Sequence, residues 1–128
     1  MTFLDRYAGH AYALLRIIAG LMFLNHGLQK FFGFPMPFPM ALSPLLTAAG
    51  VIELVCGTLI AIGLFARPAA FIASGMCAVG FWMMHAPQGI LPIANGGETI
   101  VLYCFVFLMI ATRGAGMWSV EAATAKAD

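Results

Sequence analysis

Few residues in this chain could do chemistry, and nearly all of them interrupt apolar stretches. Arg16, Asn25, His26, Gln29 and Lys30 fall in one stretch and Glu53 in a second; His85 closes a third, and Asn95 and Glu98 open a fourth. His26 and Lys30 are four apart, so on a helix they share a face. Arg16, Gly20, Phe23 and Gly27 lie on or beside that face, while Asn25 points nearly opposite. Gly50, Glu53 and Gly57 share a face of the second stretch, and small residues around a carboxylate suit close packing on the first. An ionisable side chain deep in an apolar helix is costly and marks a functional site by default. Glu53 is the sharpest case, because a carboxylate there needs a partner or a proton. Glu53 and His26 are therefore the proton-carrier candidates.

Each residue also has a plainer reading. Lys30 at the outer end of its stretch and Arg16 near the other end can snorkel to the interface. Glu98 follows Asn95 by three, the spacing of a capping box with Asn95 as N-cap. His85 reads as an interfacial histidine and His26 as an interhelical hydrogen bonder. Other chemistries fall away. There is no HExxH motif and no deep histidine pair at ligand spacing, so no metal site is expected. Met83, Met84 and His85 suggest copper only weakly against a background of nine methionines. Ser43, Ser74 and Ser119 have no partners for nucleophilic catalysis. Cys56, Cys77 and Cys104 fall in separate apolar stretches without a CxxC pair and read as small buried hydrophobes. A net charge of +1 offers no nucleic-acid footprint.

The elements that must hold these residues are set by composition. The 128 residues are 62% hydrophobic and 9% charged, an apolar excess that a soluble domain cannot hide. A spanning helix needs about 20 mostly apolar residues. The chain thus reads as all-α, a single integral membrane domain: an antiparallel four-helix bundle with spans of about 11–32, 45–65, 69–85 and 97–112. No cleavable leader is expected, because the first apolar stretch is too long and no A-x-A-like site follows it. Arg67-Pro68 forms a tight connection, with Pro68 suited to a first helical turn. The segment GFPMPFPMALSP after the first span holds Pro35, Pro37, Pro39 and Pro44, which exclude a helix interior. It reads either as a stiff flap at the membrane interface or as an apolar tether.

Basic residues set orientation. Arg6, Arg67, Arg113 and Lys126, with Arg16 near the edge, fall on one side, and Lys30 alone on the other. Both termini are expected in the cytoplasm of a cell whose inner membrane holds the chain, and the proline-rich segment outside. At 1.5 Å per residue, His26 lies roughly 10 Å inside the outer end of its span and Glu53 about 12 Å inside its own. Antiparallel connectivity then gathers His26, Gln29, Lys30, Glu53, His85, Asn95 and Glu98 in the outer half. Arg16 is left near the cytoplasmic end.

In order and spacing, Arg16, Gly20, Phe23, His26-Gly27 and Lys30, then Gly50, Glu53 and Gly57, Arg67-Pro68, Asn95-Gly96-Gly97-Glu98 and Arg113-Gly114 resemble the DoxX family over nearly the whole chain. The resemblance implies a four-span, bacterial-type inner-membrane protein. The family takes its name from a subunit of archaeal quinone-linked oxidation, described as a terminal quinol oxidase and as a thiosulfate:quinone oxidoreductase. Other members are linked to membrane redox homeostasis alongside soluble oxidoreductases. Haem or iron–sulfur ligand spacing is not evident in the chain. The expectation is a quinone pocket, a redox partner protein, or both, with a homo-oligomer as a further form of assembly. His26, Lys30 and Gln29 would donate hydrogen bonds, Glu53 would carry a proton, and Phe23, Phe81 and Trp82 would be the apolar walls. His85, Asn95 and Glu98 would complete the polar rim. The other reading is a non-enzymatic scaffold or a small permeation protein, in which the same polar cluster joins helices or lines a path.

Overall fold

The computed structural model of the chain describes residues 2–127, with side chains through 125, so the side chain of Lys126 lies outside the described residues. A 3-10 turn, Thr2–Tyr7, leads into α1 (Ala8–Phe32). After the proline-rich segment come α2 (Pro44–Ile62) and α3 (Ala66–Gly80), which runs on into a π-helical turn, Phe81–His85. A 3-10 turn Ala86–Gln88 and the single turn α4 (Pro92–Asn95) precede α5 (Glu98–Arg113) and α6 (Val120–Ala127). The described residues hold helices and no strand.

Local chemistry explains the ends. Ser43 caps α2, its hydroxyl accepting from the Leu46 N–H at 3.2 Å, with Pro44 in the first turn. Gly63 stops α2 in the left-handed region at φ +72°, short of the Phe65 expected from hydropathy. α3 begins at Ala66, so Arg67 and Pro68 lie in its first turn.

α1 and α2 meet backbone to backbone. A Cβ on Gly20 would lie 2.6 Å from the Ala61 nitrogen, and one on Gly57 2.7 Å from the Leu24 nitrogen. Gly27 meets Gly50 and Leu54 in the same way, so later residues of α1 face earlier residues of α2 and the pair is antiparallel. Without a hydrophobic force between helices in lipid, such close approach gains its energy from dispersion contacts. α3 turns a small face, Ala66, Ala69, Ala70, Ala73 and Ser74, toward the large side chains Tyr103, Phe107 and Ile110 of α5. Ser74 donates to the Cys104 carbonyl at 2.7 Å, and Gly80 meets Ile100, so this pair is antiparallel too. Phe23 of α1 bridges to α5, its ring 4.8 Å from Phe107 and 5.8 Å from Tyr103.

The outside is apolar. Leu14, Ile18, Met22, Val55, Phe71, Leu102 and Phe105 all stand exposed. In water this would be a continuous sticky surface; in lipid it is the ordinary one. Three helical stretches are long and apolar enough to cross a membrane: Thr2–Phe32, Pro44–Ile62 and Ala66–Gln88. α5, at 16 residues, is shorter.

Candidate functional site

The last turns of α1 carry His26 and Lys30 on one face, and the middle of α2 brings Glu53 opposite. The Lys30 ammonium donates to both Glu53 oxygens at 2.9 Å. The two side chains are only 8% and 7% exposed, so the pair is sealed from solvent. The Phe38 ring of the proline-rich segment sits over the Lys30 nitrogen, 5.2 Å from centroid to nitrogen, and covers the pair from above.

Below Phe38 lies a cavity of about 520 Å³. α1 gives it Phe23, His26 and Lys30; α2 gives Leu45, Ala48, Ile52 and Glu53. α3 and the π-helical turn give Met76, Val79, Met83, Met84 and His85, and α5 gives Thr99, Ile100 and Tyr103. Its walls are mostly apolar and its polar groups few, the usual make-up of a small-molecule site. A smaller cleft of about 180 Å³ lies between α1 and the proline-rich segment, lined by Asn25, His26, Gln29, Pro35 and Met36. His26 belongs to both.

The structure thus gathers Phe23, His26, Lys30, Glu53 and His85 around one space and leaves the other candidates elsewhere. Gln29 is turned to the proline-rich segment, donating to the Pro37 carbonyl at 3.4 Å. Asn95 is buried at the end of α4, just before α5. Its amide donates to the Gly89 carbonyl at 2.7 Å, and its oxygen accepts from the Gly97 N–H at 2.8 Å. The capping box does not form: Gly97 is the N-cap of α5, without a side-chain cap, and Glu98 is exposed and off the cavity. The Asn95 carbonyl accepts from His85 Nδ1 at 3.1 Å. A carbonyl can only accept, so Nδ1 carries the proton, and in the neutral ring Nε2 is left as an acceptor. Phe81 and Trp82 do not line the cavity. Phe81 stacks on His85 at 6.4 Å, and Trp82 is exposed on the outside.

Arg16 lies at the other end and does not snorkel. It is fully buried. Its guanidinium donates to the Ile60 carbonyl at 3.0 Å, Met117 at 3.1 Å and Trp118 at 2.7 Å, and also to the Ala115 carbonyl. Arg67 covers the carbonyls of Ala111, Thr112 and Arg113 at the end of α5, and Tyr12 donates to the Gly114 carbonyl at 2.6 Å. Arg16 and Tyr12 satisfy buried carbonyls, which find no water in the interior, while Arg67 caps the exposed end of α5.

Sequence reasoning missed Tyr103, Met83 and Met84. Tyr103 is buried in the cavity wall, its ring 6.1 Å from His26, and its hydroxyl has no partner among the described residues. A buried tyrosine inside an apolar span was a usable signal, since its hydroxyl asks for a partner.

The DoxX family model matches residues 11–86, from the first turns of α1 through the π-helical turn. An uncharacterized protein of Haemophilus influenzae is 41% identical over 128 residues, covering 94% of this chain and 96% of that relative. An uncharacterized membrane protein of Mycobacterium tuberculosis is 28% identical over 130 residues, covering 84% of this chain and 77% of the relative. No solved structure gives a significant match. With its apolar exterior and membrane-length helices, the chain is a membrane protein that belongs to the DoxX family.

Proposed function

We propose that this chain is a multi-pass protein of the inner membrane, a single antiparallel four-helix bundle with both termini cytoplasmic, and that it binds a quinone as the membrane subunit of a redox system. The cavity carries this reading: an apolar slot of about 520 Å³ with a sealed Lys30–Glu53 pair on one wall. A planar ring suits the walls of Phe23, Ile52 and Ile100, and its carbonyl oxygens need donors. The ammonium of Lys30 has a third N–H beyond the two on Glu53, and His26 stands one turn away. When bound, a quinone would supply two-electron, two-proton chemistry, with electrons delivered by a partner oxidoreductase. The chain's own work would be to hold the ring, exclude water and pass protons through Glu53 and His26. α5 supports the fourth crossing. It is short, but it runs antiparallel beside α3 from the Ile100 contact with Gly80 to the carbonyls held by Arg67.

Organic extraction of the protein purified in mild detergent, followed by mass spectrometry, tests the reading. Wild type should carry a quinone, and the pair-neutral variant Lys30→Met/Glu53→Gln should carry much less. Absence of quinone from wild type, with none taken up on addition, would end the proposal. The ion pair favours a second reading, because it joins α1 directly to α2: the protein would be a scaffold or permeation module with Glu53 as interhelical glue. The two readings part at Glu53→Gln, taken up below.

A further inference from the structure

The cavity has an apolar side and a polar one. Phe38 closes the top, half-buried over Lys30. On the side where α2 faces α3, the lining residues are themselves exposed: Leu45 is 51% exposed, Val79 55% and Met83 51%, with Ala48 exposed beside them. A residue that both lines a cavity and stands on the outer surface marks an opening. On the facing side, formed by α1 and α5, the exposed lining side chains are polar, His26 and Thr99. α2 and α3 are joined at their far ends by the short Gly63–Phe65 turn and are not tied by a hydrogen bond near this opening among the described residues. The rim is apolar, an alanine, a valine, a leucine and a methionine, and the unbranched methionine can yield to an entering chain.

The charge inside points the same way. Lys30 and Glu53 cancel each other through two bonds of 2.9 Å, so the site has no net charge left for a phosphate or a carboxylate. We infer that the gap between α2 and α3 is a lateral portal to the bilayer, and that the cavity takes an amphiphile with an uncharged polar head and a long apolar tail that stays in lipid. The inference rests on the quinone reading and narrows it to lipid-soluble, long-tailed quinones that never pass through water.

The test uses the full chain in phosphatidylcholine nanodiscs and two tritiated probes, a benzoquinone with a decyl tail and its counterpart with a methyl group instead. Ala48→Trp and Val79→Trp place a bulky ring at the rim on residues that face lipid; Ile72→Trp, exposed on α3 but off the cavity, is the control. Wild type and the control should bind both probes. The rim variants should weaken the decyl probe about tenfold or more relative to the methyl probe, the scale of a modest steric clash. Rim variants that bind the decyl probe like wild type, or that lose both probes equally, overturn the portal while leaving the quinone reading in place. A wild type that binds neither probe removes both. Displacement of the decyl probe when phosphatidylglycerol replaces phosphatidylcholine would assign the cavity to a charged lipid head and overturn the inference.

Discussion

At the residue scale, Glu53 and Arg16 show two ways of keeping a charge in an apolar interior. Glu53 is paired with one lysine, so removing it strands a buried ammonium. Glu53→Ala should cost about 3–5 kcal/mol, the usual result of breaking a buried pair, read as unfolding in detergent. Glu53→Gln keeps a hydrogen-bond acceptor for Lys30 and should keep more of that stability, yet it removes the titrating group. If Glu53 carries protons, quinone-linked turnover fails in both variants; full turnover in Glu53→Gln would leave the carboxylate as glue. Arg16 instead spreads its charge over four carbonyls. Arg16→Lys keeps the charge but loses the planar fork, and should loosen the turn before α6, seen as faster protease cleavage near Trp118 with little effect at Lys30. The Glu53–Lys30 meeting was legible, because charge types and depth along antiparallel helices can be read from residues. The Arg16 role was not. Its partners are backbone carbonyls up to 102 positions away, and a carbonyl carries no sequence signal.

At the scale of elements, the glycine faces of α1 and α2 were legible from spacing alone, because a 3.6-residue period puts Gly20 and Gly27, and Gly50 and Gly57, on single faces. Replacing Gly20 or Gly57 with Leu should push the backbones apart and lower the free energy of unfolding in detergent by an amount typical of overpacking, about 1–3 kcal/mol or more. Gly75 is the contrast. A Cβ there meets nothing within 4 Å, so Gly75→Ala should be neutral or stabilise α3 by up to about 1 kcal/mol. Equal effects at Gly75 and Gly57 would mean that helix propensity, and not close approach, sets these sites. The walls contributed after Gly80 are misread from residue type. Aromatic character selects Phe81 and Trp82 for a planar ring, whereas helical spacing from Met76 and Gly80 leads to Met83 and Met84, which line the cavity beside His85.

At the scale of the molecule, composition alone was enough to read an all-helical membrane protein, because no soluble core could absorb so much apolar surface. Topology asks for more, and here charge and structure can be combined. Arg16 holds carbonyls just after α5, Arg67 holds those at its end, and the Arg113 guanidinium lies 4.5 Å from the Tyr12 ring, so three basic side chains share one end of the molecule. Arg6 leads into that end through the turn before α1. The opposite end offers Lys30. This asymmetry of lysines and arginines is what would put the arginine end in the cytoplasm. The proline-rich segment over the cavity would then face outward, where a redox partner on the outer side, or the bilayer's outer leaflet, meets the site. Cysteine labelling in intact cells decides this. Cys56 and Cys77 are buried and Cys104 is half-buried, so an impermeant maleimide should react with an introduced exposed thiol in preference to the native ones. Pro39→Cys should label in intact cells, and Arg6→Cys only after permeabilisation, since both positions are exposed. The reverse pattern would turn the molecule over and move the cavity to the cytoplasmic leaflet. Labelling of both positions from outside would mean that α1, the helix between them, does not cross; α5 is tested after its end, where Ala123→Cys should label only after permeabilisation, and labelling in intact cells would remove α5 from the crossings.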